Sequence, residues 1–181
     1  MAAKRFSVQK GFTAQLKKAA RDLNKIERGL SLEIGIAMEE MGKDILTLSN
    51  SLCPYETGKL RNSAKAWVRK AGGEEFLAYR IVGAGPGGGG SAEHQQPVSG
   101  YSTRWDLIVT YDRFDDKKGT FDVALYCHES MEYTPRKPNT GPKFLAIAGQ
   151  QLEGLFHDRL SSKARKALSQ YSAGTVWKMR M

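Results

Sequence analysis

The sequence predicts an α+β domain in which long helices pack on one face of a mostly antiparallel β-sheet of about four strands. Three observations carry this. Two apolar stripes with steps of three and four fill the first 52 residues; alternating apolar runs occupy the middle; and a third helical stripe closes the chain.

Phe12, Leu16, Ala19, Leu23, Ile26 and Leu30 form the first stripe, which places them on one helix face. Lys17, Lys18, Arg21, Lys25 and Arg28 occupy the rest of that helix as a basic stripe. A second stripe runs through Ile34, Met38, Met41, Ile45, Leu48 and Leu52. Gly29 weakens a helix interior and Ser31 is a good N-cap, so the expectation is two helices, 12–28 and 31–52, the second about 33 Å long. Pro54 ends it, because the residue before a proline is pushed out of helical geometry.

Thr57 is placed to cap a short helical turn over 58–63. Residues 64–70 and 76–82 read as a hairpin around Ala71-Gly72-Gly73. Residues 83–100 are so rich in glycine that a long flexible loop is expected, of the kind that meets a partner. Trp105, Leu107, Val109 and Tyr111 alternate as a third strand. After a turn at 115–119, Phe121, Val123 and Leu125 alternate as a fourth. Residues 133–142 hold three prolines and read as an extended loop. The last helix is expected to open at Pro142 and to bury Leu145, Ala148, Leu152, Leu155, Phe156 and Leu160. The organisation that follows is a basic N-terminal helix (1–29), a core (30–162) interrupted by the 83–100 insertion, and a C-terminal extension (163–181).

The net charge of +9 sits at the ends. Residues 1–28 hold eight Lys/Arg against Asp22 and Glu27, and residues 159–181 hold six with no acid, so +6 at each end leaves −3 between them. Such ends suit an anionic partner, either nucleic acid or an acidic protein surface. In the tail, Tyr171 and Trp177 interleave with Lys178 and Arg180. No known DNA-reading module is visible, so nonspecific contact is the alternative functional reading. No segment is apolar enough to span a membrane, and Met1 to Lys10 lacks the apolar region of a secretory signal. Cys53 and Cys127 form no CxxC and read as free buried thiols in a reducing compartment.

Catalytic and cofactor motifs fail on their physics. Gly83-x-Gly85-x-x-Gly88 follows a strand but is followed by glycines and Pro97 where a dinucleotide fingerprint needs a helix. Cys127, His128 and Glu129 are adjacent, so on a strand they point to opposite faces and cannot cooperate. His94, His128 and His157 lack metal-ligand spacing. Glu39-Glu40, Glu74-Glu75 and Asp115-Asp116 read as solvated acids, and no GxSxG is present. No enzyme, cofactor or metal is expected.

Two segments together carry a resemblance. The first is Cys53-Pro54-Tyr55-Glu56-Thr57-Gly58-Lys59-Leu60-Arg61-Asn62-Ser63, after a long amphipathic helix. The second is Ala124-Leu125-Tyr126-Cys127-His128-Glu129 followed by Gly141-Pro142-Lys143-Phe144-Leu145. In this order they resemble the tail-completion, or neck, proteins of tailed phages, the family around the minor tail protein Z of phage lambda, over roughly residues 30–160. The resemblance implies a non-catalytic virion subunit, made in the host cytoplasm, that joins copies of itself into a six- or twelve-fold ring between head and tail. Its implied neighbours are connector, tail-terminator or tail-tube proteins, with DNA passing through the channel. Thr57, Gly58, Leu60, Arg61, Tyr126, His128, Glu129, Pro142 and Phe144 would then be structural or interface residues. The Gly-rich loop, the basic first helix and the Trp177 tail depart from the family pattern.

Overall fold

A computed structural model describes the protein over residues 3–54, 58–85, 88–112, 123–130 and 140–172. It is an α+β fold: the long helix α1 (Ala3–Leu52) lies on a four-stranded antiparallel sheet. The strands are β1 (Ala64–Lys70), β2 (Glu75–Gly85), β3 (Gly88–His94) and β4 (Trp105–Tyr111), in the order β3-β2-β1-β4. Three further helices are α2 (Lys59–Asn62), α3 (Val123–Glu129) and α4 (Phe144–Ser172).

The break expected at Gly29 and Ser31 does not occur; α1 is continuous. The reason is tertiary. The Ser31 hydroxyl does not cap: it donates to the Ser102 carbonyl at 2.7 Å and accepts from the Ser102 amide at 2.9 Å and Trp105 Nε1 at 3.1 Å. A residue whose side chain is satisfied from outside has no local reason to end a helix. Further along, Gly35 and Gly42 let α1 approach the sheet: a Cβ at Gly35 would lie 2.8 Å from Val98 Cγ1, and one at Gly42 would lie 3.0 Å from the Ala66 Cβ.

Small residues answer from the sheet. Ala64, Ala66 and Val68 alternate along β1 toward α1, joined by Phe76, Ala78 and Ile81 of β2 and by Trp105. Ala37, Met41 and Leu46 fill the helix side. A fully buried Leu46 or Phe144 contributes about 1.5–3 kcal/mol through apolar burial. The other sheet face carries a row of paired residues, Leu77–Trp67–Ile108, flanked by Lys65 and Arg69.

Residues 83–100 are not a flexible loop over their first half. β2 continues to Gly85 and β3 begins at Gly88, so the glycines form a hairpin on the sheet edge. Gly83 (φ 69°) and Gly90 (φ 72°) sit on the two strands, and a Cβ at Gly90 would lie 2.6 Å from the Val82 carbonyl oxygen. Only glycine tolerates that combination.

The strand expected over 121–125 is also corrected. Phe121 and the 115–119 turn lie outside the described residues, and Val123 onward is α3. Ala124 and Cys127 are the buried pair, at the i, i+3 spacing of a helix, while Leu125 is exposed. The fourth strand is β3 instead. The last helix starts at Phe144, two residues later than expected, because Lys143 takes a left-handed φ of 58° that no helix interior accommodates. It runs on to Ser172, past the expected end near 162. α4 lies antiparallel along α1 and is stitched to it by Arg159–Asp44 (2.7 Å), Lys163–Glu40 (2.6 Å) and Lys166–Glu33 (3.8 Å).

Candidate functional site

The two segments of the resemblance, far apart in sequence, meet at the C-terminal end of α1. Cys53 and Leu60 from the first, and Ala124, Cys127 and Phe144 from the second, form one buried cluster, with Leu52, Tyr111 and Leu145 packed against it.

Gly58 has φ 75°, and a Cβ there would lie 2.4 Å from the Ala84 carbonyl oxygen, so backbone and contact both demand glycine. Thr57 lies outside the described residues. The turn started by Gly58 makes α2, which buries Leu60 and Arg61. Arg61 Nε and Nη2 donate to the Cys53 carbonyl oxygen at 3.2 and 2.7 Å. A guanidinium there satisfies an orphan carbonyl and answers the negative end of the helix dipole. The Gly141 amide donates to the Leu52 carbonyl oxygen at 3.1 Å, so the second segment closes the same helix end.

Asn62, which the sequence did not single out, holds the hairpin. Its Nδ2 donates to the Ala84 carbonyl oxygen at 2.7 Å and its Oδ1 accepts the Ala84 amide at 2.9 Å. Asn50 of α1 donates to the Gly89 carbonyl oxygen. The glycine-rich hairpin is thus pinned by Asn50 of α1 and Asn62 of α2, the first just before the Cys53–Ser63 segment and the second within it.

On the other side, Lys143 N donates to the His128 carbonyl oxygen at 2.6 Å, and the His128 and Phe144 rings meet edge to face at 5.1 Å. His128 Nδ1 lies 2.6 Å from Glu129 Oε1, and the Lys143 ammonium contacts the other carboxylate oxygen. The Lys143 hydrogen bond, then the one to His128, holds the Glu129 carboxyl below its usual range. Pro142 helps line a small cavity of about 200 Å³ with Leu52, Phe144 and Ile147. Tyr126 is 45% exposed on α3.

Burial pushes the Cys53 thiol up to about 12, with Arg61 opposing the rise and Cys127 adding to it. A thiol so far from its thiolate is a packing group and a poor nucleophile near neutral pH. Burial likewise raises Tyr111, whose hydroxyl lies 2.7 Å from Ser49 Oγ. Among the described residues no group of three or more His, Cys, Asp or Glu is placed to hold a metal ion, and no helix is long and apolar enough to cross a membrane.

The basic stripe lies elsewhere. Lys17, Lys18, Arg21, Lys25 and Arg28 are all exposed on the first half of α1. From Arg28 to the joint at Leu52 is about 36 Å along the helix. Lys178 and Arg180 lie outside the described residues, as does Trp177. Compared with protein-family models, with curated proteins and with solved structures, the chain matches none.

Proposed function

We propose that the protein is a structural subunit of a bacteriophage neck, one of a closed ring of copies at the head–tail joint, with connector and tail-terminator or tail-tube proteins as its neighbours. The observation that carries this reading is the convergence of the two resemblance segments: Cys53 and Leu60 pack with Ala124, Cys127 and Phe144 in one buried cluster, while Arg61 and Gly141 close the same helix end. A motif that builds a rigid joint out of buried side chains suits a load-bearing subunit. The sheet supports the reading as well. β3 and β4 are its two edges, on opposite sides, as a head-to-tail contact between copies requires. The test is imaging of assembled particles with the subunit labelled. Density for the label in the neck is the expected result, and particles that join heads to tails without it would overturn the reading.

A second reading rests on the exposed basic stripe of α1: nonspecific contact with duplex nucleic acid. It predicts affinity for duplex of any sequence that falls steeply with salt and is lost when Lys17, Lys18 and Arg21 become glutamine. In a neck, the same face would meet DNA in the channel.

A further inference from the structure

α4 keeps to one line along α1. Its Arg159, Lys163 and Lys166 meet Asp44, Glu40 and Glu33, which share one face of α1 at helical spacing. The register is antiparallel, so the end of α4 at Ser172 reaches about residue 29 of α1. Carried on at steps of three and four, the same line passes through Gly29, Ile26, Asp22 and Ala19. These four are buried or half-buried, whereas Lys17, Lys18, Arg21 and Lys25 are exposed. Leu16 and Leu23 border the line and are 54% and 65% exposed.

α4 points toward this stretch, and residues 173–181, which lie outside the described residues, follow it directly. They hold Val176, Trp177 and Met179 as apolar side chains, Lys178 and Arg180 as charged ones, and no acid. The seam on α1 has the opposite charge at its borders. Asp22 stands on one side and Glu27 on the other, the only acids of residues 1–28. Asp22 has no ion pair among the described residues, and Glu27 accepts from the Tyr101 hydroxyl on one oxygen.

We propose that residues 173–181 dock on this seam of their own chain, with Trp177 on Leu23 and Met179 toward Leu16, and so extend the α1–α4 contact along the first half of α1. The reach fits. An extended chain spans about 3.3–3.6 Å per residue, so Trp177 can stand about 17 Å and Met179 about 24 Å from Ser172. Leu23 is about 9 Å and Leu16 about 20 Å along α1 from the point where α4 ends. The charge fits as well, since Lys178 and Arg180 come to Asp22 and Glu27. The seam of a second copy carries the same two acids, so two such seams repel where seam and tail attract. The contact has a consequence for charge. With Asp22 and Glu27 neutralised, the first half of α1 presents basic side chains alone, the surface an anionic partner would meet. None of this depends on a place in a neck.

The test is amide hydrogen exchange of the full chain. Trp177→Ala is expected to quicken exchange over residues 16–26 about 10-fold and to leave residues 31–52 at their wild-type rates. Unchanged exchange over 16–26 would overturn the proposal. Leu23→Asp, at an exposed position, should have the same effect, and Leu23→Asp/Trp177→Ala should go no further than either alone. Additive effects would mean that the two side chains have different partners, which is the opposite of what is proposed. Charge reversal is the second route: Asp22→Lys should quicken exchange, and Asp22→Lys/Lys178→Glu/Arg180→Glu should bring it back. A triple variant no slower than Asp22→Lys would remove the charge argument and the proposal with it. A mixture of isotope-labelled and unlabelled chains, coupled by a carbodiimide between Lys178 and Asp22 or Glu27, tells one chain from two. Products of uniform label are expected; products of mixed label would put a second copy on the seam in place of the tail.

Discussion

Arg61 and Cys53 close α1 between them: two nitrogens of the Arg61 guanidinium, a residue only 6% exposed, donate to the Cys53 carbonyl oxygen at 3.2 and 2.7 Å. Cys53 also belongs to the buried Phe144 cluster, and Arg61 to the α2 turn, so the contact joins the two.

Arg61→Ala should therefore cost about 2–3 kcal/mol, since a buried charge-assisted bond is lost and the Cys53 carbonyl loses its donor. Arg61→Lys should recover only part, because an ammonium cannot reproduce the fork. Urea denaturation checks this through a lower midpoint at unchanged slope.

Gly58→Ala should cost about 2 kcal/mol or more, because its φ of 75° and the 2.4 Å approach to the Ala84 oxygen exclude a methyl group. Gly72→Ala is the control: its Cβ meets nothing within 4 Å, and stability should stay within about 0.5 kcal/mol of the wild type. Equal losses in the two variants would contradict the reading of Gly58.

Cys53 and Tyr111 should make the fold sensitive to alkali. Both are held protonated by burial, Cys53 at about 12 against an ordinary 9.0. A group raised in the fold gives stability that is complete below its unfolded pKa and lost as pH rises toward its folded one. Stability should accordingly fall between pH 9 and 12, with Tyr111 adding to the slope from about pH 10. Cys53→Ala should flatten the first part of that decline, and Tyr111→Phe the later part. Urea midpoints measured across the range report both.

Ser31→Ala should cost about 2 kcal/mol, since it strands the Ser102 amide and the Trp105 indole nitrogen in a buried place. The Trp105 Nε1–H resonance should shift in NMR spectra while α1 keeps its helicity by circular dichroism. Loss of helicity would mean that Ser31 shapes the helix locally after all.

Residue pattern made the α+β class legible wherever period and burial coincide, as in Ala64-Lys65-Ala66-Trp67-Val68. It misled where local and distant partners compete. Ser31 carries the signature of a helix cap, yet its partners lie 71 and 74 residues away. The β3 strand was invisible because a run of glycines has no side-chain alternation; its pairing is defined by Ile81 and Val82 across the ladder. Phe121-Val123-Leu125 alternates by accident of a short run, and the burial of Ala124 with Cys127 settles the helix. Arg61 stood out as a motif residue, but its role as a helix-end donor needs the Cys53 carbonyl beside it, which only the folded chain supplies.

The length of α1 has a mechanical consequence. A 50-residue helix is about 75 Å long, and only its second half is seated on the sheet. It behaves as a lever with its fulcrum in the packing around Gly35 and Gly42. A change of about 5° in that seat moves the far tip by roughly 4 Å, with about 48 Å of helix between Gly35 and Ala3. Small repacking under the seated half, as from Ala66→Val, would be read out as displacement at a remote end that the substitution never touches.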